Sequence, residues 1–284
     1  MSLLAVIPAR LGATRLSNKP LRLLGGQPLI VRVWERVAAL GVADHCVVAT
    51  DSDDVATVVR QAGGDVVLTR ADHPSGTDRV AEVAARAEYR RYDALVNVQG
   101  DEPFVSHAVV AGAASVVTTD AFPLGTVACV ASPDVLARPD VVKVVADEAG
   151  RALYFSRAPI PWLREPDDVG DQAARDALVR RHVGVYAYTR EALARWVALP
   201  VHPLERVERL EQLRPLAHGL AMGVAHVDEA PAPGVDTEDD LRAAERLWAA
   251  GEAARARRPK AAVAGGAGAR PPYAVPVPPD RPDA

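Results

Sequence analysis

Short apolar runs that alternate with stretches of helical periodicity constrain this chain more than any other feature. Leu3 to Ile7 is an apolar run of strand length, and after a loop Pro28 to Leu40 has the pattern of a helix that Gly41 stops. Cys46 to Ala49 reads as a second strand. In Asp53 to Ala62, Val55, Val58 and Val59 fall at i, i+3 and i+4, with Gly63 and Gly64 as the stop. Val66 to Leu68, Ala94 to Val98, Thr126 to Ala131 and Val141 to Val145 are further strands, separated by helical patterns over 76–91 and 106–118. Such alternation predicts an α/β sheet, largely parallel, with helices on both faces.

Beyond about residue 150 the pattern loosens around Pro159, Pro161 and Pro166, and a smaller subdomain is expected there, with a strand at His182 to Tyr188. Leu204, Val207, Leu210, Leu213 and Leu216 recur at every third position, which suits a helix over 203–214 that Pro215 ends. Thr237 and Asp240 have the spacing of a capping box, and Leu241, Ala244 and Leu247 give the helix behind it an apolar stripe. From Gly251 the chain turns rich in Ala, Arg, Gly and Pro, and its end, PPYAVPVPPDRPDA, buries too little apolar surface to offset ordering it. Residues 251–284 are therefore expected to be a disordered tail.

Composition narrows the function. A chain of 284 residues, 49% hydrophobic, has room for one large domain or two smaller ones. Only Cys46 and Cys129 are present, each inside an apolar run, so buried thiols in a reducing cytoplasm are expected instead of a disulfide scaffold. The start MSLLAVIPAR has no basic segment ahead of its apolar run, and no stretch reaches the roughly 20 apolar residues of a membrane span. With 33 Lys+Arg against 37 Asp+Glu the chain lacks the positive footprint of a phosphate-gripping nucleic-acid binder. Small molecules are the expected partners, with no nucleic acid and no membrane.

Three segments could carry chemistry. The loop Pro8 to Pro20 leaves the first strand with Arg10, Arg15, Lys19 and a glycine. Ligands bind beyond the carboxyl ends of strands in open α/β sheets, so this loop reads as an anion cradle, against the alternative of a solvated basic loop. It is neither a Walker loop nor a dinucleotide fingerprint. In Asn97-Val98-Gln99-Gly100-Asp101-Glu102-Pro103 a strand runs into two carboxylates, either a Mg2+ site or a simple acidic turn. Asp236 stands just outside the capped helix start, where negative charge is favoured in any case.

Eight segments then align, in order, with one family: IPARLGATRLSNKPL, ATDSDDVA, TRADHPSGTDR, NVQGDEP, ALYFSRAPIPW, RHVGVYAY, PLERVERLEQLR and PGVDTEDDL. Together they resemble the 3-deoxy-D-manno-octulosonate (Kdo) cytidylyltransferases, or CMP-Kdo synthetases, from about residue 3 to residue 250. Where that family's loop reads R-L-P-x-K-P, this chain has Ser17 in place of a stiffening proline. The resemblance implies a nucleotide-diphospho-sugar transferase-like (Rossmann-like) α/β fold over residues 1–250. It also implies that about 150–215 serves as a sugar-binding and dimerisation subdomain.

The same resemblance implies the reaction. CTP and Kdo would give CMP-Kdo and pyrophosphate for lipopolysaccharide assembly, with Mg2+ as cofactor, in a cytoplasmic homodimer. Arg10, Arg15 and Lys19 would hold the triphosphate and stabilise the leaving pyrophosphate, and Asp101 and Asp236 would bind Mg2+. Arg70, Asp72, His73 and Ser75 fall where the family recognises cytosine, and Gln99 serves both substrates. Arg157 would take the sugar's carboxylate, with His182, Tyr186 and Gln212 around its hydroxyls. Taken without the resemblance, Arg157 reads sooner as a surface ion pair and His182 as a structural histidine. Close substrate relatives such as the 8-amino analogue or a sialic acid fit the same motifs, and a catalytically silent nucleotide-binding regulator is the alternative of another class.

Overall fold

A computed structural model describes residues 1–12, 16–162, 164, 178–228 and 232–257. In chain order its elements begin with β1 (Leu3–Ala9), the short pair β2 (Leu23–Leu24) and β3 (Gln27–Pro28), α1 (Leu29–Ala39), β4 (His45–Thr50), α2 (Asp53–Gln61), β5 (Asp65–Leu68) and α3 (Gly76–Ala85). There follow β6 (Ala94–Asn97), α4 (His107–Thr118), β7 (Leu124–Val130), β8 (Lys143–Ala146), β9 (Ala152–Ser156) and β10 (Arg180–Thr189). The chain continues with α5 (Arg190–Ala198), α6 (Pro203–Glu208), α7 (Leu213–Ala217), β11 (Met222–Val227) and α8 (Glu238–Arg257).

The main sheet runs β11-β7-β10-β6-β1-β4-β5, with β8 and β9 attached beside β10. Every neighbouring pair along that path is parallel except the two made by β10, which is antiparallel to both β6 and β7. The expected α/β architecture is therefore present, with one reversed strand near its middle.

All of β1 is buried, which fits a strand covered on both faces. Leu3, Ala5 and Ile7 join a core built with α1, α2, α4 and α8, whereas Leu4 and Val6 join a second core with α3 and α5. Three helices start on a serine for a physical reason. Ser52, Ser75 and Ser106 place Oγ to accept from the backbone N–H three residues on, at 3.3, 3.2 and 3.3 Å, pairing one otherwise orphaned donor at each helix start. The capping box at Thr237 also forms: Thr237 Oγ1 accepts from Asp240 N at 3.2 Å, and Asp240 Oδ2 accepts from Thr237 N at 2.8 Å.

The structure departs from the sequence expectations after residue 150. The helix expected over 203–214 breaks after Glu208, because Arg209 takes a left-handed conformation (φ 53°). A second short helix, α7, then begins at Leu213, and Pro215 lies inside it instead of ending it. Its position in the first turn explains this, since backbone N–H groups there have no helical partner to lose. β9 and β11 are strands that periodicity does not reveal. The last helix runs to Arg257, past the Gly251 at which the tail is expected to begin, and residues 258–284 lie outside those described.

Both thiols are free. Cys129 is fully buried, and burial pushes the Cys46 thiol up to about 12, which keeps it protonated and unreactive. Trp196 is among the largest fully buried side chains and packs edge-on to Tyr186 and Tyr188. Trp196→Ala should lower unfolding free energy by about 3–5 kcal/mol in a urea titration; a loss near zero would show that this second core does not depend on it.

Candidate active site

The chain winds from β1 out to β4 and β5 on one side, then returns to place β6 on the other. Parallel sheets leave a crevice outside the strands' carboxyl ends at such a reversal. Here the crevice is a cleft of about 270 Å3. Arg10 and Lys19 reach it from the loop after β1, Gln99 and Asp101 from the turn after β6, His73 and Ser75 from the segment before α3, and Asp236 from the segment before α8.

Lys19 is the hub. Asn18 adopts the left-handed conformation (φ 52°) that asparagine tolerates, and the short 3-10 turn Lys19–Leu21 with buried Pro20 follows it. Lys19 Nζ donates to Asp101 Oδ2 and, at 2.8 Å, to Asp236 Oδ1. Burial works against the ammonium charge, but Asp101 and then Asp236 outweigh it and hold the Lys19 pKa above its ordinary value.

Backbone packing fixes the two carboxylates. A Cβ on Gly100 would sit 2.9 Å from the carbonyl oxygen of Pro8, so only glycine lets the turn carrying Asp101 lie against β1. Val235 N donates to the carbonyl of Asp101 at 2.9 Å, and Asp236 N to Asp240 Oδ2 at 3.1 Å, which ties the second carboxylate to the first turn and to the helix cap together. Beside them, burial first and Asp101 next push Glu102 up to about 7, with Arg181 pulling the other way.

On the α3 side of the cleft, Ser75 caps α3 while its Oγ lies 2.6 Å from Asp78 Oδ2 and 2.7 Å from Glu211 Oε1. His73 Nε2 is 2.6 Å from Glu82 Oε2. Burial alone would raise Glu82, but donation from Arg70 N, Arg86 and His73 brings it down to about 2. Arg79, almost fully buried, lines the cleft, donates to Thr69 Oγ1 and to the carbonyl of Arg70 at 3.2 Å, and faces Asp51 Oδ1 at 3.6 Å.

The remaining candidates gather around β10. Its bulge between Val183 and Tyr186 lets Thr126 Oγ1 donate to the carbonyl of Val185 at 2.9 Å, so the contact of Thr126 Oγ1 with His182 Nε2, also 2.9 Å, is one in which the imidazole donates. Burial, helped by Arg181, pushes His182 down to about 3, and its ring packs on Phe155 and Tyr186. Burial raises the Tyr186 phenol well above its usual value. Gln212 is buried at the start of α7, next to Glu211, whose carboxyl burial also raises. Arg157 follows β9 and donates through Nε to the carbonyl of Glu208 at 2.8 Å and through Nη1 to that of Pro139 at 2.9 Å.

A family profile described as Cytidylyltransferase matches residues 4–222. The 3-deoxy-manno-octulosonate cytidylyltransferase of Gemmatimonas aurantiaca is 62% identical over 248 residues, covering 87% of this chain and 95% of that one. This chain belongs to the 3-deoxy-manno-octulosonate cytidylyltransferase family. The family member of Herminiimonas arsenicoxydans is 46% identical over 254 residues, covering 87% and 99%. A solved CMP:2-keto-3-deoxy-manno-octonic acid synthetase complexed with CTP is similar with a TM-score of 0.81 at 38% identity, covering 88% of this chain and 100% of that one. A cytidylyltransferase from Leptospira borgpetersenii, at 14% identity and a TM-score of 0.54, shares the fold, covering 86% of this chain and 85% of that one.

Within this family member, the cleft brings together Arg10, Lys19, His73, Ser75, Gln99, Asp101 and Asp236. Arg157, His182, Tyr186 and Gln212 do not line it; the stretch from Glu208 to Gln212 touches Arg157 at one end and Ser75 near the other. Arg70 and Asp72 stand apart. They pair with each other at 3.0 Å on the surface, 68% and 76% exposed, because the turn between β5 and α3 points them outward. Arg15 lies outside the described residues. Sequence reasoning missed Arg79 and Glu211, although both fall inside segments that carry the family resemblance; an arginine and a glutamate inside predicted helical patterns give no signal of burial.

A histidine held neutral at pH 6 has a stability consequence. With its folded pKa near 3 and an unfolded value of about 6.5, His182 contributes stability that is complete above about pH 6.5 and is lost as pH falls toward 3, where the unfolded chain takes up the proton first. The Tm of wild type should therefore drop relative to that of His182→Asn between about pH 7.5 and about pH 5. Parallel Tm profiles across that range would contradict the burial of a neutral imidazole.

Proposed function

We propose that this chain transfers CMP from CTP to Kdo, releasing pyrophosphate, for lipopolysaccharide synthesis in the cytoplasm, and that it requires Mg2+. The observation that carries the reading is the convergence of Asp101 and Asp236 on Lys19 beside Arg10 in one cleft. Two carboxylates against one ammonium leave an excess of negative charge that would repel a triphosphate. A hard divalent cation removes that excess, and Mg2+ suits a pair of carboxylates completed by phosphate oxygens. Among the described residues no larger cluster of His, Cys, Asp or Glu offers a site. Asp101 and Asp236 would hold Mg2+, which when bound supplies charge neutralisation and lowers the pKa of a hydroxyl it contacts.

The chain's own residues then do three things. Arg10 and Lys19 set positive charge where pyrophosphate leaves, as the bond from the sugar's anomeric oxygen to the α-phosphorus forms and the bond to the bridging oxygen breaks in line. His73, Ser75 and Gln99 border the nucleotide end, with Ser75 at the start of α3. On the sugar side, His182 and Tyr186 offer neutral polar groups, Gln212 an amide and Arg157 a cation for the carboxylate.

A homodimer is part of the same reading. Leu153 (58% exposed), Trp162 (75%) and Leu178 (55%) are large apolar residues left open to solvent in the 150–215 section, which supports an interface there. Among the described residues no helix is long and apolar enough to cross a membrane.

Pyrophosphate release from purified protein with CTP, Mg2+ and Kdo tests the reading, run beside reactions given sialic acid, 8-amino-Kdo or another nucleoside triphosphate. Turnover should be confined to CTP with Kdo, and Asp236→Ala should lower kcat by about 100-fold or more with its circular dichroism spectrum unchanged. Release with another sugar alone would replace the substrate, silence with every sugar despite CTP binding would favour a regulator, and near-normal turnover in Asp236→Ala would remove the metal assignment.

A further inference from the structure

Lys143 is fully buried at the start of β8 and, among the described residues, has no carboxylate on its nitrogen. Its ammonium instead donates to three backbone carbonyls: Arg138 at 2.9 Å, Val141 at 2.8 Å and Arg157 at 2.5 Å. Lysine is the one side chain with three donors on a single atom, and here all three are used. Burying a cation is costly, so a neutral link between these loops would be the cheaper solution if linkage were its whole role.

Glu208, the last residue of α6, grips the same point from the other side. Its Oε1 accepts from Ser156 Oγ at 2.6 Å, its Oε2 accepts from Arg157 N at 2.9 Å, and its carbonyl accepts from Arg157 Nε at 2.8 Å. With Nη1 donating to Pro139, the amide, carbonyl, Nε and Nη1 of Arg157 are all fixed, and Nη2 alone makes no hydrogen bond among the described residues. Anchoring a guanidinium through Nε and Nη1 fixes its plane and leaves Nη2 to donate, which lowers the entropy cost of pairing with an anion.

We propose that Lys143 and Glu208 are positioning residues that hold Arg157 with Nη2 presented to the carboxylate of the sugar acid, Lys143 adding a second cation behind it. This rests on the reading that the chain acts on Kdo. Glu208 also places the proposal on the stretch that leads through Glu211 to Ser75 in the cleft, so the grip on the acid and the nucleotide end share one short piece of chain.

The test compares Kdo with its carboxamide analogue, both with saturating CTP, in wild type, Lys143→Met and Glu208→Gln. If the two residues present Arg157 to the carboxylate, the wild-type preference in kcat/KM for the acid over the amide should shrink by about tenfold in each variant, with KM for CTP within about twofold of wild type. A role confined to structure would lower kcat/KM for both sugars alike and leave the preference intact, which overturns the proposal. Glu208→Gln keeps the shape of a part-exposed side chain, so it decides the matter even if Lys143→Met does not fold. A wild-type enzyme that turns over CTP with a different sugar, or with none, removes the substrate reading itself, and is told apart by the wild-type reaction alone.

Discussion

The ion triad of Lys19, Asp101 and Asp236 is the interaction on which the rest of the site depends. Its members come from the loop after the first strand, the turn after β6 and the segment before the last helix, and they meet on the nitrogen of Lys19. No local preference brings such segments together. The sheet does it, because a reversal of strand order at β1 sends the loops after β1 and β6 to the same crevice. Gly100 then lets the turn carrying Asp101 lie against β1, and the Val235 N–H ties the segment carrying Asp236 to that turn.

Much of this was legible in the sequence, and the reasons for what was not are physical. β1, β4 and β6 announce themselves as apolar runs because both faces of a parallel sheet are covered, and the capping box at Thr237 is visible as a spacing. β11 is not visible, since Gly223 interrupts it; that glycine is needed because a Cβ would press into Phe122 and Val116. The break at Arg209 leaves no trace, since an arginine gives no hint of the left-handed conformation that ends α6, where its N–H and that of Leu210 both return to the carbonyl of Glu205. Charged residues in loops and turns that leave the sheet stand out in the sequence, and Lys19, Asp101 and Asp236 meet in one cleft. The direction of a side chain on a turn is not legible: Arg70 and Asp72 pair on the surface, whereas His73 and Ser75 of the same segment line the cleft.

The polar groups divide by environment as well as by position. The Lys19 end keeps its charges in a half-open cleft, where one ammonium faces two carboxylates. Around β10 burial instead holds His182, Tyr186 and Glu211 toward their neutral forms, so they act as hydrogen-bonding groups and not as ions. That contrast suits a reaction in which one substrate brings several negative charges and the other brings hydroxyls and one carboxylate. On the proposed reading the cation at the sugar end is Arg157, whose backbone is held by Glu208 and by the buried ammonium of Lys143.

The central claim is that Asp101 and Asp236 act as one divalent-cation site, and it is tested most directly by titrating Mn2+ as a stand-in for Mg2+, followed by electron paramagnetic resonance, into wild type, Asp101→Ala and Asp236→Ala with CTP present. The account expects wild type to bind Mn2+ more tightly than CTP does in free solution, and expects either substitution to abolish that excess affinity by roughly tenfold or more. Excess affinity that survives in either variant would mean that the two carboxylates do not form the metal site, and that their meeting on Lys19 is only structural.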